Sequence, residues 1–224
     1  MSSSSDRLRH VYWIGGASGG AKSTVARHLA ARYGLHLYDT DAAMSDHARR
    51  SSPEDSPYLH EFIAMDMDQR WLLRSPETML ETFHWFRGEG FDRIVEDLLS
   101  LPTDRPIIAE GFRLLPHLVT PLLTEPTRAV WLLPTPAFRE IAFESRGTTW
   151  QIAHRTSNPE TALHNLLVRE RLFTNRLNAE VRALGLPAIA VDGTMTENDL
   201  TNRVAAGFGL RVLQRSLPSG EEGV

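Results

Sequence analysis

The stretch Gly16-Ala17-Ser18-Gly19-Gly20-Ala21-Lys22-Ser23-Thr24 decides the fold. Before it runs His10 to Ile14, an apolar segment that predicts a strand closing on Gly15-Gly16. After it, Val25, Leu29 and Tyr33 recur at helical spacing, and Gly34 predicts the stop of a helix from about Lys22 to Tyr33. Strand, glycine-rich turn, helix is the setting in which G-x-x-x-x-G-K-[ST] cradles phosphate. Gly16, Lys22 and Ser23 stand at that spacing. Main-chain N–H groups of such a loop point inward at phosphate oxygens, and the helix adds its positive end. Lys22 would reach the β- and γ-phosphates, and Ser23 would ligate Mg²⁺.

One position departs from the pattern: Ala21 stands where the loop has its second glycine. If that position needs a left-handed backbone, alanine costs roughly 1–2 kcal/mol. The lysine is informative in another way. Of 24 basic residues it is the only one that is not arginine. An ammonium is a compact point charge and a guanidinium a broad fork, so the loop selects for the compact shape.

Working outward, further short apolar runs alternate with helical stretches, which predicts a parallel sheet with crossover helices. Strands are expected over Leu35 to Tyr38, Pro106 to Ala109, Ala129 to Leu133 and Ala188 to Val191. Residues 57–101 read as helical, with Gly88 and Gly90 as kinks, and a long helix is expected over about Glu160 to Leu184. Each strand ends in a polar or glycine-containing turn, where open parallel sheets bind ligands.

Those turns carry the candidate acids. Asp39 and Asp41 after the second strand can point at one site, one taking a proton from an acceptor hydroxyl and the other holding the Mg²⁺ shell. The alternative is helix capping, since Asp41 precedes Ala42, Ala43 and Met44. Glu110 follows Ile107-Ile108-Ala109 and precedes Gly111, which suits metal or acceptor contact, with a cap or ion pair as the alternative. Positive charge on the moving phosphoryl group is expected from a lid over about 139–160, from Arg146 first and Arg155 second. Arg139 lies in the same stretch. On the long helix, Arg169 and Arg176 share a face and Arg171 turns away, with ion pairing as their expected use. His47, Arg49, Arg50, Trp71 and Arg74 are weaker acceptor candidates, set against solvated or core positions.

Bulk properties narrow the field. The chain has 224 residues, 42% hydrophobic and 23% charged, close to the globular average, so disorder is not expected. It is read as one domain, with a core at about 8–212, a helical acceptor region at about 42–101, and loose tails at 1–7 and 213–224. A net charge of −4 gives no general reason to bind nucleic acid or an anionic membrane. The absence of cysteine removes thiol catalysis and cysteine-held zinc. The nine histidines lack H-x-x-x-H spacing. No run approaches the roughly 18 apolar residues of a membrane helix, and no apolar signal segment opens the chain, so a soluble cytoplasmic protein is expected.

With Gly16 to Thr24 and Tyr38-Asp39-Thr40-Asp41 in view, the chain resembles the P-loop small-molecule kinases related to shikimate, gluconate and nucleoside monophosphate kinases. Val130-Trp131-Leu132-Leu133-Pro134 and Val191-Asp192-Gly193-Thr194 extend the resemblance over about residues 10–210. It implies an α/β three-layer sandwich around a five-stranded parallel sheet in order 2-3-1-4-5. It implies ATP and Mg²⁺ as cofactors, a small-molecule acceptor, and a monomer or homodimer. It places Gly16, Ala17, Ser18, Gly19, Gly20, Ala21, Lys22, Ser23 and Thr24 around the phosphates. Asp192, Gly193 and Thr194 fall near the adenine. Ser23, Asp39 and Glu110 fall at the metal, and Asp41, Glu110, Gly111 and Arg113 at the acceptor. Where shikimate kinases carry a glycine triplet, this chain has Glu110-Gly111-Phe112-Arg113, which argues against shikimate. The rival readings are a nucleoside monophosphate kinase, gripping its acceptor with Arg49, Arg50, Arg74 or Arg113, and a nucleotide-binding regulator that transfers nothing. A GTPase is disfavoured, because its guanine-reading motif needs a second lysine.

Overall fold

The computed structural model describes residues 4–139 and 148–211. Its centre is a five-stranded sheet in order β2-β3-β1-β4-β5. The strands are β1 (Val11–Gly16), β2 (His36–Asp39), β3 (Ile107–Glu110), β4 (Ala129–Pro134) and β5 (Ala188–Val191). Every pairing is parallel. The predicted strands and their order agree with this sheet. β1 to β3 end one or two residues later than the hydrophobic runs alone suggest, because β1 runs on through both glycines and β2 and β3 each take in an acid.

Parallel strands buried on both faces need apolar side chains in both directions. In β1, Val11 and Trp13 enter one core while Tyr12 and Ile14 enter the other. The first core is closed by α8 (Phe91–Ser100) and α11 (Pro159–Ala183), through Ile94, Leu98, Phe173, Leu177 and Val181. The second is closed by α2 (Lys22–Tyr33) and α12 (Glu197–Gly207), through Val25, Leu29, Leu200 and Val204. The result is helix, sheet, helix. Gly34 ends α2 in the left-handed conformation at φ 67°, as its position predicts.

The expected helical stretch at 57–101 is broken into pieces: α4 (Pro57–Ala64), α5 (Met67–Trp71), α6 (Pro76–Thr82), α7 (His84–Arg87) and α8. The breaks have local causes. Pro57 and Pro76 sit in first turns, where a missing N–H is harmless. Asp66 and Ser75 cap α5 and α6 by accepting from Gln69 N and Thr78 N. Gly88 ends α7 and Gly90 starts α8, both left-handed, so these glycines terminate helices where a kink was expected. A third, smaller cluster of Trp71, Met79, Ala153, Ala162 and Leu166 ties this region to α10 (Thr148–Ala153) and α11.

Trp131 of β4 is fully buried, and its indole crosses the face of Gly15. A Cβ at residue 15 would lie 2.3 Å from Trp131 Nε1. That nitrogen donates to Leu114 O at 3.0 Å, fixing the turn after β3 against β4. No helix among the described residues is long and apolar enough to cross a membrane.

Candidate functional site

The loop between β1 and α2 has the backbone its sequence asks for. Gly16 and Gly19 hold φ 129° and 85°. A Cβ on Gly16 or Gly20 would approach Leu132 O to 2.1 or 2.6 Å, so β4 presses the loop from beneath. Ala21 lies at φ 59°, ψ 18°, the only non-glycine residue with positive φ among the described residues. The left-handed position does exist, and alanine bears its strain there. Lys22 is buried, and its Nζ donates to Ala17 O at 3.0 Å across the loop. The first turn of α2 contains no acidic residue and no side-chain cap, so its N–H groups and dipole are available to an anion.

The register brings the acids level. Ile14 pairs with Glu110, and Glu110 with Asp39, at the carboxyl edge of three adjacent strands. Glu110 is 2% exposed, and the Ser23 hydroxyl is close enough to its carboxyl to draw it down. Its Oε2 has no partner among the described residues. Burial pushes its carboxyl above the ordinary range, and Asp39 and Asp41 add to this against the pull of Ser23 and Lys22. Asp41 is exposed, with its Oδ1 accepting from Thr40 Oγ1 at 3.3 Å and lying close against Gly111. Desolvation raises its carboxyl, while Lys22 draws it down. In the Asp39-Thr40-Asp41 turn Asp39 accepts from Asp41 N at 2.8 Å and Ala42 N at 3.1 Å, while the helix Met44–Arg49 that follows has Ala43 as its N-cap and no side-chain cap, so neither acid caps it. Gly111 at φ 149° leaves no room for a side chain, since its Cβ would meet Thr40 Oγ1 at 1.7 Å.

Arg113 serves as a buried brace. It donates to Thr40 O at 3.2 Å and to Gly90 O at 3.0 Å, and it lies 4.1 Å over the Trp85 ring. Burial lowers its guanidinium to about 10. The structure thus brings Gly16 to Thr24, Asp39, Asp41, Glu110 and Gly111 to one edge, with Arg113 behind them. Asp192, Gly193 and Thr194 form an exposed turn after β5, where Asp192 Oδ1 accepts from Thr194 N and Oγ1 at 2.9 and 2.7 Å. These bonds hold the Asp192 carboxyl below its usual range. Arg155 is exposed just past α10. Arg146 lies outside the described residues. Arg139 is buried. Of the weaker candidates, Arg49 pairs with Asp46, and Arg50 with Asp46 and Asp97. His47 Nε2 sits 2.7 Å from Asp97, and Trp71 is buried.

Sequence reasoning did not find the cavity beside this edge. It measures about 270 Å³ and opens against Ser18 of the loop. Phe62, Trp71, Phe83, Trp85 and Phe86 supply its wall. Arg169 lines it too, 7% exposed and paired with the adjacent Glu170 at 2.5 Å, so the predicted ion pairing of that arginine occurs inside a pocket. The signal in the sequence was the aromatic density of residues 83–86, which pattern reading assigns to core.

Comparison with protein-family models and with curated proteins gives no match.

Proposed function

We propose that this chain is an ATP- and Mg²⁺-dependent phosphotransferase that moves a γ-phosphoryl group to a small-molecule acceptor. The observation that carries the reading is the union of the glycine loop with Glu110. A loop shaped by Gly16, Gly19 and Gly20 delivers Lys22 and Ser23 to the sheet edge where the buried Glu110 carboxyl feels both of them. Loop N–H groups and Lys22 hold phosphate oxygens and concentrate positive charge where the transition state gathers negative charge.

The donor set fits a hard cation. Ser23 offers a hydroxyl, and Glu110 Oε2 is buried without a partner among the described residues. No cluster of three or more His, Asp or Glu able to hold a metal occurs among the described residues. Mg²⁺ is commonly bound by one or two carboxylates together with substrate phosphates, so a full protein cage is not required. Mg²⁺ bound there supplies charge neutralisation of the β- and γ-phosphate oxygens. Asp41 is the group best suited to take the acceptor's proton, since it is exposed at the carboxyl edge of the sheet and desolvation has raised its basicity. Asp39 holds the turn that presents it.

The arginines that a nucleoside monophosphate kinase would use are committed elsewhere. Arg49 and Arg50 bind acids, Arg74 donates to Thr82 and Arg70 O, and Arg113 braces Thr40 and Gly90. The test is ADP release from Mg²⁺–ATP across sugars, nucleosides, nucleotides, hydroxy acids and aromatic alcohols. Acceptor-stimulated release supports the reading. Saturable nucleotide binding with no stimulated release by any acceptor would leave a regulator instead.

A further inference from the structure

We infer that the acceptor is a flat aromatic alcohol of one or two rings, bearing an oxygen that accepts a hydrogen bond from Arg169. The inference rests on the phosphotransfer reading and deepens it, because the cavity adjoins the phosphate loop at Ser18. Its volume of about 270 Å³ lies just under the range of roughly 300–1,000 Å³ typical of small-ligand pockets. That suits a small ring system. The wall is aromatic, and aromatic rings favour offset-stacked or edge-on partners.

The polar part of the wall is sparse and specific. Arg169 has rings of Trp71, Phe83 and Phe86 about its guanidinium at 5.0, 4.8 and 5.2 Å. One nitrogen binds Glu170, while Nε and Nη1 have no partner among the described residues. A buried donor without a partner costs free energy that a ligand oxygen restores. His84, also in the wall, is neutral: burial and nearby arginines press its imidazole down to about 3.

This lining selects among acceptors. A sugar would bury a ring of hydroxyls against rings that cannot bond them. A phosphate monoester brings two negative charges that the arginine, already offset by Glu170, does not balance, whereas a single carboxylate or carbonyl group can meet its unpartnered Nε and Nη1. An aromatic alcohol stacks on the wall, gives its oxygen acceptor to Arg169 and turns its hydroxyl toward Ser18. The acceptor oxygen then bonds to the γ-phosphorus as the bond to the β–γ bridging oxygen breaks, ADP leaves, and the hydroxyl proton passes to Asp41.

The probes are 4-(hydroxymethyl)benzoate, benzyl alcohol, trans-4-(hydroxymethyl)cyclohexanecarboxylate, D-glucose and AMP. Binding is read from tryptophan fluorescence without nucleotide, since Trp71 and Trp85 line the cavity. Turnover is read as ADP release with Mg²⁺–ATP. On the wild-type protein the benzoate should bind saturably, at least about tenfold more tightly than benzyl alcohol or the cyclohexane analogue, a difference of about 1.4 kcal/mol. D-Glucose and AMP should neither bind nor stimulate. Arg169→Gln should weaken the benzoate about tenfold and leave benzyl alcohol within twofold. If that variant does not fold, the wild-type series alone decides. Equal binding of the cyclohexane analogue, or turnover with D-glucose or AMP but no aromatic probe, overturns the inference while leaving phosphotransfer intact. Tight aromatic binding with no ADP release from any acceptor does the reverse: the cavity assignment holds and phosphotransfer falls.

Discussion

The phosphate loop and the aromatic cavity share a border at Ser18, yet they are built in opposite ways. The loop is nine consecutive residues shaped by backbone: two left-handed glycines, a left-handed alanine and a carbonyl of β4 beneath. The cavity is side chains gathered from residues 18 to 170, carried by several short helices and by the long helix α11. One is a local object and the other a product of tertiary packing. A local object tolerates no change of backbone shape. A packed one tolerates change of shape but not of size.

The predictions probe that contrast in descending order of effect. Lys22→Ala removes the ammonium from the loop and should lower turnover by about 10²- to 10³-fold in a steady-state ADP assay. Near-normal turnover would break the assignment of the loop as the reacting end. Gly16→Ala should cost on the order of 2–3 kcal/mol in urea unfolding, since the new methyl meets Leu132 O at 2.1 Å in a backbone conformation that alanine resists. Ala21→Gly should act in the other direction. Relief of the left-handed strain, partly offset by glycine's freedom in the unfolded chain, should stabilise by up to about 1 kcal/mol. For a domain of this size that is roughly 2–4 °C in Tm.

The smallest effect belongs to Glu110→Gln, and its signature lies in pH. The folded state raises this carboxyl above its ordinary value of 4.5, so the native protein holds the proton more tightly than the unfolded chain does. Stability from that group is complete below pH 4.5 and is lost as pH rises through the raised value. Glutamine removes the loss. The variant should therefore melt higher than wild type at pH 7, with the difference closing below pH 4.5, while turnover falls. A constant offset at all pH values would show that Glu110 is not a strained acid. Asp39→Asn and Asp41→Asn sharpen the comparison on the catalytic side: Asp41→Asn should depress kcat more, because Asp39 is engaged in its turn.

What the sequence could reveal follows the same division. β1 and α2 were legible because glycines, an apolar run and one lysine mark them within about two dozen residues, β5 because a short apolar run closes on Asp192-Gly193, and the sheet order because the resemblance implies it. The strained Ala21 was legible as a condition, since the motif names the position that must be left-handed. The roles of Asp39 and Asp41 were not assignable, because two acids one residue apart in a turn differ only in which one meets the backbone amides. The aromatic cavity was hidden for a physical reason. Phe83, Trp85 and Phe86 look like core in any window, and Arg169 looks like one arginine among 23. Only packing α7 against α11 turns them into a wall. The fragmentation of residues 57–101 was half visible, in Pro57, Pro76, Gly88 and Gly90, but periodicity ran across the breaks.

The indole of Trp131 lying over Gly15 has an evolutionary corollary. Positions 15 and 131 share a volume that Leu114 O also borders, 2.8 Å from a Cβ at 15, so any side chain at 15 demands both a smaller partner at 131 and a shift of that carbonyl, which the exchange releases from its donor. Homologues with a bulkier residue at 15 should therefore show a compensating reduction at 131 and a new donor for the carbonyl after β3, a paired inheritance that sequence collections can reveal without any assay.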